Sequence, residues 1–313
     1  MRFNKVLVGY GLVLFFYLIV LFIADKSTDF SEYGPVALAQ LPVVMSLTLL
    51  SFCLRYLRYY LLLKWSGQPS LVSAGWWAYL SGFALTATPG KLGELLRIRY
   101  FGRLGISADR VVSAFIFERT LDLIVVFALA IVYVTDLNML WLAALFVSLL
   151  LVALVVATLY PEILRRYSVF CMQIKWIRFS RLLEFLVNVL LGCRVWIKLS
   201  TILISLTIGV MAWSLISFAF IYLLDRLNIH IPWLGAFSTY PMAMLAGAAS
   251  MLPGGFGSTE AAIVFQLKWH EIDSSVAILV AVVIRLGTMW FSVFCGFAAI
   301  LFQEVVFARK TVS

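Results

Sequence analysis

The chain has 313 residues, of which 64% are hydrophobic and 12% charged, and its formal net charge is +9. With a mean hydropathy of +1.04, it is more apolar than a soluble domain, which places it among polytopic membrane proteins. The basic residues lie between apolar stretches rather than on one solvated face. They therefore read as a topology signal and not as a nucleic-acid footprint, with anionic headgroups at the cytoplasmic face as the expected counterpart.

In chain order the apolar stretches are 6–24, 36–63, 73–88, 111–134, 139–160, 199–224, 236–252 and 275–303. A membrane-spanning helix needs about 20 such residues, so 73–88 and 236–252 are marginal. Each of these two runs directly into a Pro-Gly motif. The first stretch follows Arg2 and Lys5. It is long and lacks a small-residue cleavage site, so it reads as a retained helix rather than a signal peptide.

Orientation follows from the flanking charges. Arg2 and Lys5 hold the N-terminus in the cytoplasm, and the net acidic loop 25–35 fits the exterior. Stretch 36–63 returns to Arg55, Arg58 and Lys64. The segment 161–198, with Arg165, Arg166, Lys175, Arg178, Arg181, Arg194 and Lys198, belongs inside. Three crossings between 64 and 161 would put it outside, whereas two satisfy it. The stretch to demote is the short 73–88, which Lys91, Arg97, Arg99, Arg103 and Arg110 follow. Residues 73–102 then form a re-entrant hairpin from the cytoplasm that turns at Thr88-Pro89-Gly90. In the second half, 199–224 exits and 275–303 returns to Arg309 and Lys310, leaving 236–268 as a hairpin from the exterior that turns at Pro253-Gly254-Gly255.

The predicted architecture is an all-α polytopic membrane protein with six full transmembrane helices and two re-entrant helical hairpins in an inverted-topology repeat. It is one membrane domain, 1–313. Residues 1–35 are an N-terminal helix and outer loop, 36–134 the first repeat and 135–198 a connecting span and basic cytoplasmic loop. Residues 199–303 are the second repeat and 304–313 a cytoplasmic tail. A simple eight-span topology is the alternative. Non-helical backbone at membrane depth persists only when buried in protein or lining a wet cavity, so the two turns are expected to face each other at a central site.

The motifs share a spacing. Pro89-Gly90-Lys91-Leu92-Gly93-Glu94 is followed by Arg119, and Pro253-Gly254-Gly255-Phe256-Gly257-Ser258-Thr259-Glu260 by Arg285. In each copy the arginine lies 25 residues after the glutamate. Arg55, Arg58, Glu94, Arg97, Glu118, Arg119, Asp122, Glu260 and Arg285 all fall within or beside apolar stretches. An ionisable group at the bilayer centre costs at least about 2.5–3.5 kcal/mol, so each needs a partner or water. Glu118 and Asp122 share one helix face, as do Arg55 and Arg58.

Two readings stand side by side. The charges staple hairpins to spans, with Glu94–Arg285 and Glu260–Arg119 as crosswise pairs, or the arginines bind an anionic headgroup while the carboxylates neutralise them. Helix N-termini after Gly90 and after Gly255 are further candidates for an anion. Arg55 and Arg58 are expected to snorkel to cytoplasmic headgroups. The loop 161–198, which mixes Trp176, Phe179, Leu182, Leu183 and Phe185 with its arginines, reads either as an amphipathic helix on anionic lipid or as an ordinary basic loop.

Cys53, Cys171, Cys193 and Cys295 are scattered and read as core fillers. The two histidines, His230 and His270, fall in outer loops. HExxH, P-loop and Cys/His patterns are absent, and Thr259 breaks a GxSxG elbow. No metal, cofactor or catalytic role is expected, and transport is favoured over catalysis.

Thr88-Pro89-Gly90-Lys91-Leu92-Gly93-Glu94, Glu118-Arg119-Thr120-Leu121-Asp122 and Leu252-Pro253-Gly254-Gly255-Phe256-Gly257-Ser258-Thr259-Glu260 together resemble the lysylphosphatidylglycerol synthase transmembrane family, also called flippase-like proteins. The resemblance runs from the second span to the end of the sequence. It implies movement of lipids, such as aminoacylated phosphatidylglycerol or polyprenyl-linked glycolipids, between leaflets of the bacterial plasma membrane. The cytosolic aminoacyltransferase domain of bifunctional members is missing here, so synthase activity is not implied.

The expected function is a flippase-like transporter of an anionic or glycan- or aminoacyl-modified lipid, with both termini cytoplasmic. The expected site is Lys91, Glu94, Arg97, Glu118, Arg119, Asp122, Glu260 and Arg285, set around turns at Pro89, Gly90, Gly93, Pro253, Gly254, Gly255 and Gly257. The alternatives are a proton-coupled transporter of a soluble anion and a non-catalytic partner of a glycolipid-synthesis enzyme. The membrane lipid is the expected ligand, and the oligomeric state stays open, a homodimer included.

Overall fold

A computed structural model of the chain describes residues 28–69, 72–86, 88–133 and 177–312, with isolated positions between 141 and 169. The predicted spans 6–24 and 139–160 and the basic residues of 161–176 lie outside these segments. Among the described residues all regular structure is helical.

Helix α1, Thr28–Ala39, leads into α2, Leu41–Trp65. The stretch 25–35, expected as an outer loop, is therefore helical from Thr28 onward. Helix α2 stops where Gly67 adopts a positive φ of 75° and the N–H of Gln68 reaches back to the Leu63 carbonyl at 3.1 Å. Such a left-handed residue lets the terminal carbonyls find donors, and glycine adopts it without steric penalty.

A helical hairpin follows. Helix α3, Val72–Ser81, tightens into a 3-10 turn over Gly82–Leu85, and the chain then reverses. A 3-10 helix over Pro89–Leu96 leads into α4, Arg97–Gly102. Helix α3 packs on α4 and the two 3-10 segments pack on each other, which defines the reversal. Each arm is roughly 21–25 Å long by its helical rise, short of a hydrocarbon core of about 30 Å.

Helix α5, Ala108–Ala130, is 23 residues long. That length suffices for a span, but Asp109, Arg110, Glu118, Arg119 and Asp122 interrupt its apolar surface. Helix α6, Ile177–Cys193, packs on α5, with Val187, Val189 and Cys193 buried and the carbonyl of Val189 accepting from the Ser113 hydroxyl at 2.8 Å. This part of the basic segment is thus a helix docked on protein. Trp196 follows, fully buried, donating to the Leu62 carbonyl at 2.8 Å.

Helix α7, Leu199–Arg226, opens the second half. The second hairpin is α8, Trp233–Ala249, then a 3-10 turn at Pro253–Gly255, then α9, Ser258–Trp269. Helix α9 is about 18 Å long. Helix α10, Ser274–Arg285, continues through a π turn at Leu286–Trp290 into α11, Phe291–Val312. Residues 304–312, expected as a tail, belong to this helix.

Three continuous helical runs among the described residues are long and apolar enough to cross a membrane: Glu32–Trp65, Leu199–Arg226 and Ser274–Val306. The packing between halves is reciprocal. Helices α2 and α7 lie against each other; α5 of the first half covers α8 of the second hairpin, and α11 of the second half covers α3 and the Gly82–Leu85 turn of the first. Two apolar clusters result, each joining one hairpin to helices of the other half. At one crossing the backbones nearly touch: a side chain on Gly296 would meet the backbone of Ala84, with its Cα only 2.6 Å away.

Candidate functional site

The charged residues of the first half converge. Arg58 of α2 bonds to Asp122 at 2.7 Å and to Glu118 at 3.2 Å, both on α5. Arg97, from the hairpin's return arm, bonds to Glu94 at 2.7 Å and approaches Glu118 at 3.5 Å. Its guanidinium also lies over the rings of Tyr79 and Tyr59, 4.6 and 5.3 Å from their centroids. The Tyr79 hydroxyl donates to Glu118 at 2.8 Å and the Thr86 hydroxyl to Glu94 at 3.1 Å. The Arg58 and Arg97 side chains are sealed, 1% and 0% exposed. Buried charges persist in this way when each carboxylate meets several donors.

Two further arginines are held more loosely. Arg55 lies over the Trp213 ring at 4.3 Å, donates to the Ser51 hydroxyl at 3.3 Å and stands 3.6 Å from Asp122. Arg119 stands 3.4 Å from Asp122, 3.5 Å from Glu118 and 3.8 Å from Glu94. Its Nε and Nη2 have no hydrogen-bond partner, and its side chain is 18% exposed.

In the second half Arg285 donates to Glu260 at 2.8 Å, to the Gly254 carbonyl at 2.6 Å and to the Met289 sulfur at 2.9 Å. Glu260 sits in the first turn of α9, behind the Gly254-Gly255-Phe256-Gly257 loop. All three glycines there have positive φ, from 61° to 76°. The first motif uses glycine differently: Gly90 lies inside the 3-10 helix, and at Gly93 any side chain would run into the Leu85 carbonyl and the Thr88 hydroxyl.

The two motif turns pack on each other. Between them lies a cavity of about 80 Å³, lined by Arg55, Glu94, Arg119, Gly254 and Arg285 among others. That space holds a few waters or one small polar group. The π turn after Arg285 brings Thr288 and Met289 to its wall, with Ser292 just beyond.

Of the expected site residues, the structure gathers Glu94, Arg97, Glu118, Arg119 and Asp122 in one cluster and pairs Glu260 with Arg285. The side chain of Lys91 lies outside the described residues. Two expectations are corrected. The glutamates pair within their own halves, not crosswise, because each return arm packs beside the next helix of the same half (α4 on α5, α9 on α10). Arg55 and Arg58 do not snorkel; Glu118 and Asp122 on the facing helix draw them inward. At the two helix starts considered for an anion, Thr88 accepts the Gly93 N–H at 2.6 Å, while Glu260 in the first turn of α9 is bonded to Arg285 and caps no N–H.

Cys53 is exposed rather than a core filler, whereas Cys193 is buried. Among the described residues no group of three or more His, Cys, Asp or Glu could hold a metal. Sequence reasoning missed the hydroxyl partners Tyr79 and Thr86.

Apolar helices of spanning length, broken by a buried nest of charge, define a multi-pass helical membrane protein. The family described as lysylphosphatidylglycerol synthase TM region matches residues 6–296, nearly the whole chain, and the chain belongs to that family. Membership places it among membrane proteins related to lipid synthesis and lipid flipping. No curated protein matches the sequence.

Proposed function

We propose that the chain is a flippase-like transporter that carries an anionic lipid between leaflets of a bacterial plasma membrane, with both termini in the cytoplasm. The observation that carries this reading is the cavity where the two Pro-Gly turns meet, lined by Arg55 and Arg119 from one half and Arg285 from the other. Cations converging from two halves on one wet space are what an anionic headgroup requires midway across a bilayer.

Of the proposed six spans and two re-entrant hairpins of inverted sense, four spans (α2, α5, α7 and α10–α11) and both hairpins fall in the described segments. The hairpin arms are too short to cross, and each half's last helix covers the other half's hairpin, as a pseudo-twofold axis demands. Rocking of one half against the other would open the cavity to alternate leaflets. The chain carries the lipid and performs no chemistry on it.

The test is transfer of short-chain fluorescent phosphatidylglycerol in reconstituted vesicles. Wild type should move the probe, and Arg119→Gln and Arg285→Gln should reduce transfer at least tenfold while eluting as folded protein. Wild-type rates in both variants would remove the cavity from the mechanism. The small cavity also favours one other reading, a carrier for a soluble anion. Flux of inorganic phosphate without lipid transfer would establish that instead.

A further inference from the structure

Residues 285–290 grip the second hairpin at four points. Arg285 donates to the Gly254 carbonyl at 2.6 Å and to Glu260 at 2.8 Å. Thr288 accepts from the Tyr240 hydroxyl of α8 at 3.1 Å, and Trp290 packs on Phe256 with ring centroids 5.8 Å apart. A regular α-helix would not let Arg285 and Trp290 share this task. Five residues apart, they would point about 140° away from each other. The π turn closes with bonds five residues long, the Phe291 N–H returning to the Leu286 carbonyl, and so stacks such residues on one side.

The tip that is gripped contributes little of its own fixation. Met251, Gly254, Gly255 and Gly257 all have positive φ, between 55° and 76°, and Met251 and Leu252 are exposed. Its short bonds close within the turn: the Gly255 N–H to the Leu252 carbonyl, and the Ser250 hydroxyl with that of Ser258. The turn of the first hairpin is bound from several sides. Thr86 donates to Glu94, Arg97 joins Glu94 to Glu118, and the backbone of Ala84 lies against Gly296. Local opening concentrates where such fixation is weakest, which here is the second turn.

A π turn amounts to one extra residue inside an α-helix, and it moves by handing that residue to the next turn. Only the residues it passes rotate, by about 100°, while the helices on either side keep their faces. A shift toward α11 turns Trp290 off Phe256, and a shift toward α10 turns Arg285 off Gly254 and Glu260. Gly254, Arg285, Thr288 and Met289 also wall the cavity, so either shift unseals it.

We propose that the π turn at Leu286–Trp290 is a latch. In place, it holds the second hairpin shut over the cavity; its migration along the helix frees the tip. The proposal rests on the transport reading only for what the opening admits.

Hydrogen exchange of the purified full chain in nanodiscs, read by mass spectrometry, tests the latch without any ligand. In wild type the amides of 251–258 and 286–291 should exchange together, at least tenfold faster than those of 83–96. Trp290→Leu should speed 251–258 at least tenfold further and leave 83–96 unchanged. Trp290→Phe, which keeps a ring on Phe256, should stay within threefold of wild type. Phe256→Leu removes the same contact from the other side and stands in should Trp290→Leu not fold. Deletion of Leu286 takes out the extra residue, so it should leave α10 and α11 in register and free the tip as Trp290→Leu does. Deletion of Phe294 instead rotates Gly296 off Ala84 and should melt well below it.

The proposal is overturned if the two turns exchange alike in wild type, or if a folded ring-loss variant keeps 251–258 at the wild-type rate. Equal damage from the two deletions would overturn it as well. Lipid transfer in vesicles should rise with tip exchange, and unchanged transfer in a variant with a freed tip would overturn the gating. Absence of transfer in every protein, wild type included, with exchange as expected, would sink the flippase reading alone.

Discussion

Arg285 and Glu260, 25 residues apart in the chain, meet at 2.8 Å, and Arg119 stands 3.8 Å from Glu94 at the same separation. The two contacts are alike in register and unlike in strength. The second-half pair is a direct bond reinforced by the Gly254 carbonyl, whereas in the first half Arg97 has taken the short bond to Glu94 and left Arg119 at a distance.

Removal of Glu260 should therefore be costly. Glu260→Ala leaves Arg285 a buried cation stripped of its carboxylate, a loss on the order of 3–5 kcal/mol. The melting temperature in detergent should fall sharply. The double variant Glu260→Gln with Arg285→Gln should recover part of it, and a double-mutant cycle with no coupling would contradict the pairing.

Arg58 and Arg119 should separate stability from function. Arg58→Gln deprives Glu118 and Asp122 of their closest cation and should destabilise the chain by roughly 3 kcal/mol or more. Arg119→Gln breaks no hydrogen bond and only ion pairs of 3.4 Å or longer, and should cost less than Arg58→Gln. Equal melting temperatures for the two variants would refute this division.

Gly296→Ala should pry α11 from the first hairpin. The added methyl meets the backbone of Ala84, which no rotamer change can relieve, and overpacking of this kind costs about 1–3 kcal/mol. Gly102→Ala, with nothing within 4 Å of the new carbon, is the matched control and should be neutral. Thermal denaturation of the two variants makes the comparison.

The far end of that hairpin is tied to α11 through Glu304, which accepts from Arg103 at 3.1 Å and from Tyr100 at 3.2 Å. Here exposure decides: Glu304 is 42% exposed, so Glu304→Gln should cost under about 1 kcal/mol, and the effect should shrink further in high salt. A drop comparable to that of Glu260→Ala would contradict this.

Single cysteines at Ser107 and Asp273, both exposed, report the proposed topology. An impermeant maleimide added to intact cells should label position 273 and spare position 107. Labelling of both or neither would dissolve the inverted arrangement.

Much of this was legible in the residues. The Pro-Gly motifs after 73–88 and 236–252 announced helix breaks, and the helices Val72–Ser81 and Trp233–Ala249 end shortly before them. The 25-residue spacing marked a glutamate and an arginine in each half, though the expected pairs ran crosswise. Partner choice was hidden, because spacing does not reveal which neighbour an arm packs beside. The fate of Arg55 and Arg58 was hidden for the same reason: whether a helical arginine reaches for headgroups or turns inward depends on the facing helix, here Glu118 and Asp122 on α5. The different backbone roles of Gly90 and Gly254 were also beyond a motif that spells both turns alike.

The exchange of covers between halves has a bearing on biogenesis. A ribosome releases Val72–Gly102 long before it reaches Phe291–Val312, the helix that caps Gly82–Leu85. The early hairpin must wait with one side bare until Phe291–Val312 has been made. Split into two separately synthesised polypeptides, the halves would each emerge incomplete and mature only by finding one another.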